Sequence, residues 1–238
     1  MLKLQFIAKS DLVHSSTRID LGLEVLKSVH AENVLVLSPH PDDETFGCGG
    51  LLKHLSSGGS KIKIIYFSDG SIGNIEGRRD YDLAREREEE TFEALKIYSI
   101  HEVNFLRLND ANITFSENLS GRIYEEVKTR KYDLVLVPSG NDWSKTHQVV
   151  NLVFKTAYKK LGQNVPEAWE FFVWGINSPS YLFPIDKYLN YKKEAASCHK
   201  SQLKVKPYDE AFLAMNEYLG KGFAVSKYAE GYGVITKK

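Results

Sequence analysis

The chain reads as an α/β protein, a largely parallel sheet with helices on both faces. Two observations carry this. Runs such as Val34-Leu35-Val36-Leu37 and Leu134-Val135-Leu136-Val137 are continuously apolar and rich in β-branched residues, the pattern of strands buried on both faces. Longer segments of helical spacing lie between such runs, and strands alternating with helices require crossover connections and hence parallel pairing.

Taken in order, Ile19, Leu23, Val25, Leu26 and Val29 follow the spacing of an amphipathic helix, with Ser15, Ser16 and Thr17 as caps. Val34 to Leu37 is the first strand. A helix follows from Asp43 towards His54 and stops at Ser56-Ser57-Gly58-Gly59. Ile62, Ile64, Ile65, Tyr66 and Phe67 make the second strand, closed by Ser68-Asp69-Gly70. A loop from Ser71 to Arg79 leads into a charged helix containing Leu83, Ala84, Glu90, Phe92, Ala94 and Leu95. Val103, Phe105 and Leu106 form a third strand, Ile123 to Val127 belong to a helix, and Leu134 to Pro138 is the fourth strand. His147 to Leu161 is helical, Phe171 to Trp174 is a fifth strand, and beyond Pro184 the chain is mostly helical, with a last apolar piece at Tyr232 to Ile235.

The chain of 238 residues shows no repeat, low-complexity tract or linker-like stretch, so one domain spanning 1–238 is expected, Rossmann-like in type. Apolar residues make up 42% and charged residues 26%, ordinary for a globular enzyme. Lys+Arg and Asp+Glu both count 31, so net charge gives no reason to expect a nucleic-acid partner or an anionic membrane surface. No apolar run approaches a membrane span, and the short apolar N-terminus lacks the features of a signal peptide. Cys48 and Cys198, far apart and without metal-type spacing, read as reduced thiols, which makes a cytoplasmic address the expectation.

Chemistry concentrates after the first strand, where His40, Asp42, Asp43 and Glu44 stand together at a strand's carboxyl end, the place where open α/β sheets bind ligands. His40 and Asp43 are three residues apart, so a turn entering a helix directs both at one point. An imidazole nitrogen and a carboxylate oxygen supply two ligands of a zinc site, and a third must come from elsewhere in the fold. Asp42, next to a ligand yet itself unbound, would accept a proton from water activated by the metal. The duller reading, acidic residues favoured at a helix N-terminus by its dipole, does not account for the His-Pro prefix. Gly47, Gly49 and Gly50 let the helix pack closely on the sheet. They are not a dinucleotide fingerprint, because the turn carries carboxylates where that motif has glycines.

Pro39-His40-Pro41-Asp42-Asp43-Glu44 resembles the signature of the PIG-L / LmbE-like zinc-dependent N-deacetylases. Further similarities lie in Ser68-Asp69-Gly70, in Arg87 to Glu90 with Ala94, in Phe105-Leu106 with Asp110, and in His199-Lys200-Ser201-Gln202. The resemblance implies a hydrolase that removes an N-acetyl or other N-acyl group from an amino sugar or N-acetylglucosaminyl conjugate. It makes His40, Asp43 and His147 the ligands of Zn2+ (another divalent metal being allowed) and Asp42 the general base. His147 is the histidine that follows the fourth strand closely enough. Arg87, Trp143, Ser144 and His199 are the expected substrate contacts: Arg87 and His199 by motif, Trp143 as a surface for a sugar ring, Ser144 as a hydroxyl beside the ligand loop. The implied partner is a small amino-sugar substrate, and a homo-oligomer is allowed.

The family's usual His-x-Asp-His stands here as Ser144-Lys145-Thr146-His147. Its first histidine, oriented by the aspartate, serves the tetrahedral oxyanion or the leaving amine, and both members of that couple are absent. Losing one oxyanion donor costs roughly 10²–10³ in rate. A slower hydrolase survives that, so the rival expectation is a catalytically impaired member that binds sugar through the same pocket.

Overall fold

The computed structural model describes residues 1–7, 22–163, 165–175 and 177–236. Its strands are β1 (Lys3–Phe6), β2 (Glu24–His30), β3 (Asn33–Ser38), β4 (Lys61–Ser68), β5 (Glu102–Leu108), β6 (Leu134–Pro138), β7 (Glu167–Phe171), β8 (Tyr181–Pro184) and β9 (Ala229–Val234). Its helices are α1 (Asp43–Ser57), α2 (Tyr81–Tyr98), α3 (Glu117–Arg130), α4 (Lys145–Lys160), α5 (Leu189–Cys198), α6 (Lys200–Leu203) and α7 (Tyr208–Gly222). The strands form a nine-stranded sheet in the order β1-β2-β8-β9-β7-β6-β3-β4-β5. Pairing is parallel from β7 through β6, β3 and β4 to β5, and between β2 and β8; β1 runs antiparallel to β2, and β9 antiparallel to both its neighbours.

Strand alternation sorts the core into two layers. Val34, Val36, Ile62, Ile64, Leu134 and Leu136 face α1, α2 and α5, while Leu35, Leu37, Ile65, Phe67, Val135 and Val137 face α3 and α4. Both faces are covered, which is why these strands carry no polar-apolar alternation. Among the described residues no helix is long and apolar enough to cross a membrane.

Two expectations need correction. The segment at Leu23, Val25, Leu26 and Val29 is strand β2, not a helix. Val25 and Leu26 are both buried, Leu26 in the layer of α1 and Val25 in a smaller cluster with Leu182, Leu219 and Ala229, so the strand shows no period of two and its apolar residues fall by chance at helical spacing. Ile19 and the caps Ser15 to Thr17 lie outside the described residues. The fifth strand of the reading is β7 at Glu167–Phe171, earlier than Phe171–Trp174. Glu167 and Glu170 disguise it, and each is spoken for: Glu167 accepts from Trp169 Nε1 at 3.1 Å, Glu170 from Asn151 and Lys155 at 2.8 Å. Strands β1 and β8 were not anticipated.

Helix α1 is broken at Cys48, whose φ of −141° is not helical. The break frees the amides of Gly50 and Leu51, which donate to Glu230 of β9 at 2.8 and 2.9 Å. Lys192 Nζ and Tyr232 Oη donate to the same carboxylate, each at 2.7 Å, so a fully buried charge is completely answered. The glycines here permit close approach: a Cβ on Gly47 would overlap Phe171, one on Gly49 the Tyr98 hydroxyl, and one on Gly50 Ile185.

Candidate metal centre and cleft

Strands β3 and β6 are adjacent and parallel, so the turns leaving their carboxyl ends meet. The turn after β3 carries His40 and enters α1 at Asp43; the turn after β6 enters α4, whose first turn carries His147. His40 Nδ1 lies 2.8 Å from Asp43 Oδ2, His147 Nε2 lies 3.1 Å from that same oxygen, and the two ring nitrogens are 3.3 Å apart. His147 and Asp43 are buried and His40 is half-buried. Three donors bound at about 2.0–2.1 Å to one tetrahedral ion would sit about 3.3 Å from each other. Spacing and donor chemistry therefore fit a metal ion such as zinc, and these three residues form a group able to hold one.

The other side of each imidazole is also held. His40 Nε2 is 3.1 Å from Asp110 Oδ1, and His147 Nδ1 is 3.1 Å from Asp142 Oδ2. Carboxylates behind ligating histidines fix ring orientation and tautomer. Asp142 is anchored by the amides of Ser144 (2.8 Å) and Trp174 (3.1 Å), and the Asp110 amide donates to Asp69. Burial alone would raise the Asp43 carboxyl, but the His147 and His40 rings hold it well below the usual range. Burial works to lower His40, yet Asp43 and Asp110 carry it up to about 10; His147 is raised likewise, against burial, by Asp43 and Asp142. The pocket attracts positive charge.

Asp42 stands beside this group as the residue capping α1. Burial pushes its carboxyl up, and the Arg87 guanidinium opposes that. Arg87, on α2 and only 3% exposed, donates from Nη2 to Asp42 Oδ2 at 2.9 Å and from Nη1 to the Gly70 carbonyl at 3.0 Å. Gly70 has φ of +63°, and a Cβ there would come within 2.9 Å of the guanidinium carbon, so the turn requires glycine. One turn further along α2, Glu90 accepts from the amide and hydroxyl of Ser201, both at 2.7 Å, and Gln202 donates to the Gly73 carbonyl. The two outlying motif fragments are thus joined in space.

These groups open on a cleft of about 220 Å³, walled by His40, Asp42, Asp43 and Asp110 on the polar side and by Phe46, Trp174 and Tyr208 on the aromatic side. Arg87, Thr146, Gln202, Ile72 and Gly73 complete it. The expected substrate contacts are placed unevenly. Arg87 is on the wall but committed to Asp42. Trp143 is 68% exposed and off the wall, its ring 5.4 Å from that of Trp174, which is on it. Ser144 caps α4 and does not line the cleft. His199 is buried behind Phe46, ring centroids 5.7 Å apart, and burial lowers its pKa to about 3. Arg79 pairs with Asp69 at 2.9 Å.

Sequence reasoning gave Asp110 and Asp142 no part in holding the histidines, and passed over Tyr208 altogether. Asp142 is five residues from His147, a usable signal; Tyr208 follows the His199 to Gln202 element by six residues but matches no part of it.

The family model described as PIG-L, GlcNAc-PI de-N-acetylase, matches residues 35–158, just over half of the chain and the part that carries His40, Asp42, Asp43 and His147. The chain belongs to the PIG-L family. Diacetylchitobiose deacetylase of Thermococcus kodakarensis is 28% identical over 108 residues, 45% of this chain but only 40% of that protein. The uncharacterized deacetylase YaiS of Escherichia coli is 26% identical over 181 residues, 71% of this chain and 91% of its own. Among solved structures, N,N'-diacetylchitobiose deacetylase from Pyrococcus horikoshii superposes with a TM-score of 0.75 at 19% identity, covering 86% of this chain and 84% of that one. The 4-carboxy-2-hydroxymuconate hydratase of Pseudomonas putida superposes at 0.71 and 18%, over 87% and 97%. At such identities the likeness establishes the fold, which this PIG-L member shares with enzymes of more than one reaction.

Proposed function

We propose that this PIG-L member is a zinc-dependent N-deacetylase acting on an amino sugar or an N-acetylglucosaminyl conjugate. The observation that carries the reading is the convergence of His40 Nδ1, Asp43 Oδ2 and His147 Nε2 beside the Asp42–Arg87 pair. A divalent cation held by those three residues would polarise an amide carbonyl and make water a competent nucleophile near neutral pH. Asp42 takes a proton from the attacking water as the water oxygen bonds to the acyl carbon. Arg87 holds Oδ2 of that carboxylate, which fixes the direction of proton transfer. As the C–N bond breaks, Asp42 gives the proton to the departing nitrogen, and a carboxylic acid and a free amine leave.

The cleft, about 220 Å³, is smaller than the about 300–1,000 Å³ of pockets that enclose a whole drug-sized ligand. Only the reacting end of a conjugate enters, and Phe46, Trp174 and Tyr208 offer apolar faces to a sugar ring. The chain 1–238 is read as one domain, supported by the continuous sheet, and as cytoplasmic, supported by two free cysteines.

A second reading, a sugar-binding member without catalysis, is favoured by Ser144 and Thr146 in place of the auxiliary His/Asp couple. One experiment separates the two. Metal content is measured on purified protein, and amine release is followed on N-acetylglucosamine conjugates with wild type and Asp42→Asn. Turnover that the variant loses supports the hydrolase. Bound metal and bound sugar without turnover support the second reading.

A further inference from the structure

The reaction proposed above builds negative charge on the acyl oxygen, and position 144 lacks the histidine that would answer it. The cleft wall itself offers few free donors. Both Nη groups of Arg87 are engaged, by Asp42 and Gly70; Gln202 is spent on Gly73 and Ser201; His40 is held between Asp43 and Asp110. Four donors of wall residues have no hydrogen-bond partner among the described residues: Arg87 Nε, which is fully buried, and the Thr146 hydroxyl, the Trp174 indole N–H and the Tyr208 phenol.

Of these the phenol is the strongest acid, at about 10 in its ordinary state, and hydrogen bonds to an anion strengthen with donor acidity. Its position is also fixed. Tyr208 is the first residue of α7, and its ring packs edge-on to Trp174 (5.1 Å) and against Phe46 (6.2 Å). Two rings that form the apolar wall therefore hold the third, which lines the cleft shared with Asp42 and Asp43, near enough for both carboxylates to act on its phenol.

We infer that Tyr208 is a catalytic residue, donating its hydroxyl hydrogen bond to the acyl oxygen as the tetrahedral intermediate forms, in place of the absent histidine. No proton leaves Tyr208: the water proton still travels through Asp42 to the amine, and the phenol only stabilises charge. Partial burial and the nearby Asp42 carboxylate raise the phenol's pKa, so the donor stays protonated at working pH. The inference rests on the deacetylase reading.

The test compares Tyr208→Phe, Thr146→Val and Trp174→Phe with wild type, with metal content and thermal midpoint as controls on folding. Two measurements are made: kcat and KM for an N-acetylglucosamine conjugate, and calorimetric binding of its methylphosphonamide analogue, whose tetrahedral oxyanion mimics the intermediate, against binding of the free amine. Tyr208→Phe retains the ring, so a merely structural role leaves both unchanged. Expected is a fall in kcat on the order of 10- to 100-fold, with KM within about threefold, and tenfold or more weaker binding of the analogue with amine binding unaltered. Thr146→Val and Trp174→Phe alter the wall itself, so they shift analogue and amine binding together, without a selective loss of the analogue. Wild-type kcat and analogue binding in Tyr208→Phe overturn the inference, as does a selective loss of the analogue that falls on Thr146→Val or Trp174→Phe instead. If wild type turns over no substrate, the deacetylase reading fails by itself, and the binding arm still decides Tyr208: equal or absent analogue binding overturns it.

Discussion

Arg87 Nη2 lies 2.9 Å from Asp42 Oδ2, and the two side chains are 4% and 9% exposed. A carboxylate so deeply buried keeps its charge only beside a counter-charge, and a planar guanidinium serves Asp42 and the Gly70 carbonyl together. Lysine keeps the charge but not the fork. Arg87→Lys is expected to lower kcat by on the order of 10- to 100-fold while metal content stays at the wild-type level. Unchanged kcat in steady-state assays would show that Asp42 needs no such support.

The candidate metal centre makes its own forecast. Chelation should lower the thermal midpoint and added zinc restore it; at 100 times Kd the linkage is worth about 2.7 kcal/mol, or roughly 5–10 °C in a chain of this size. His147→Ala and Asp43→Ala should retain no metal by elemental analysis. Asp142→Asn keeps all three ligands yet loosens the His147 ring, so its metal affinity should fall about 10- to 100-fold. Equal affinity in that variant would reduce Asp142 to a loop anchor.

How much of this was legible in the sequence depends on distance along the chain. His40, Asp42 and Asp43 occupy four consecutive positions, so their cooperation is written locally, and His147 follows from its place after a clearly apolar strand. Asp110 and Tyr208 reach the cleft only because β5 and α7 are folded towards it; the Phe105-Leu106…Asp110 similarity singles out Asp110 without disclosing its partner His40, and nothing marks Tyr208. The same holds for the fold. The strands β3, β4 and β6 announce themselves because both faces are covered. Strand β2 imitates a helix, β7 hides behind two glutamates, and β8 is four residues long. In each of these, tertiary pairing overrides what a short window of residues can express.

His199 gives the protein an acid-sensitive spot. Its ring nitrogens are buried with no hydrogen-bond partner among the described residues, and its pKa falls from 6.5 to about 3. The unfolded chain binds a proton below pH 6.5 that the folded one refuses until about pH 3, so this group's stabilisation is complete above pH 6.5 and is lost as pH falls. The slope approaches about 1.4 kcal/mol per pH unit within that window. Urea unfolding of His199→Gln between pH 4 and 7 should show a flatter dependence than wild type; parallel curves would refute the assignment.

Glu230 supplies a stability test away from the cleft. Glu230→Ala strands the Lys192 ammonium and the amides of Gly50 and Leu51, and should cost about 3–5 kcal/mol. Adding Lys192→Met removes the orphaned charge and should recover part of the loss, read as a urea midpoint at constant m. No recovery in the double variant would mean that the amides, not the ammonium, carry the penalty.

The position of β9 has a further consequence, one of timing. This late segment joins β1-β2-β8 to β7-β6-β3-β4-β5, and its Glu230 holds the broken helix that begins at Asp43. During synthesis the motif that looks self-contained emerges early, yet neither the continuous sheet nor the settled helix that begins at Asp43 can exist until residues some 180 positions later have left the ribosome. Until then two strand edges, β8 and β7, stand open for wrong pairing. The nascent chain is most exposed to aggregation until β9 arrives to join the two halves of the sheet.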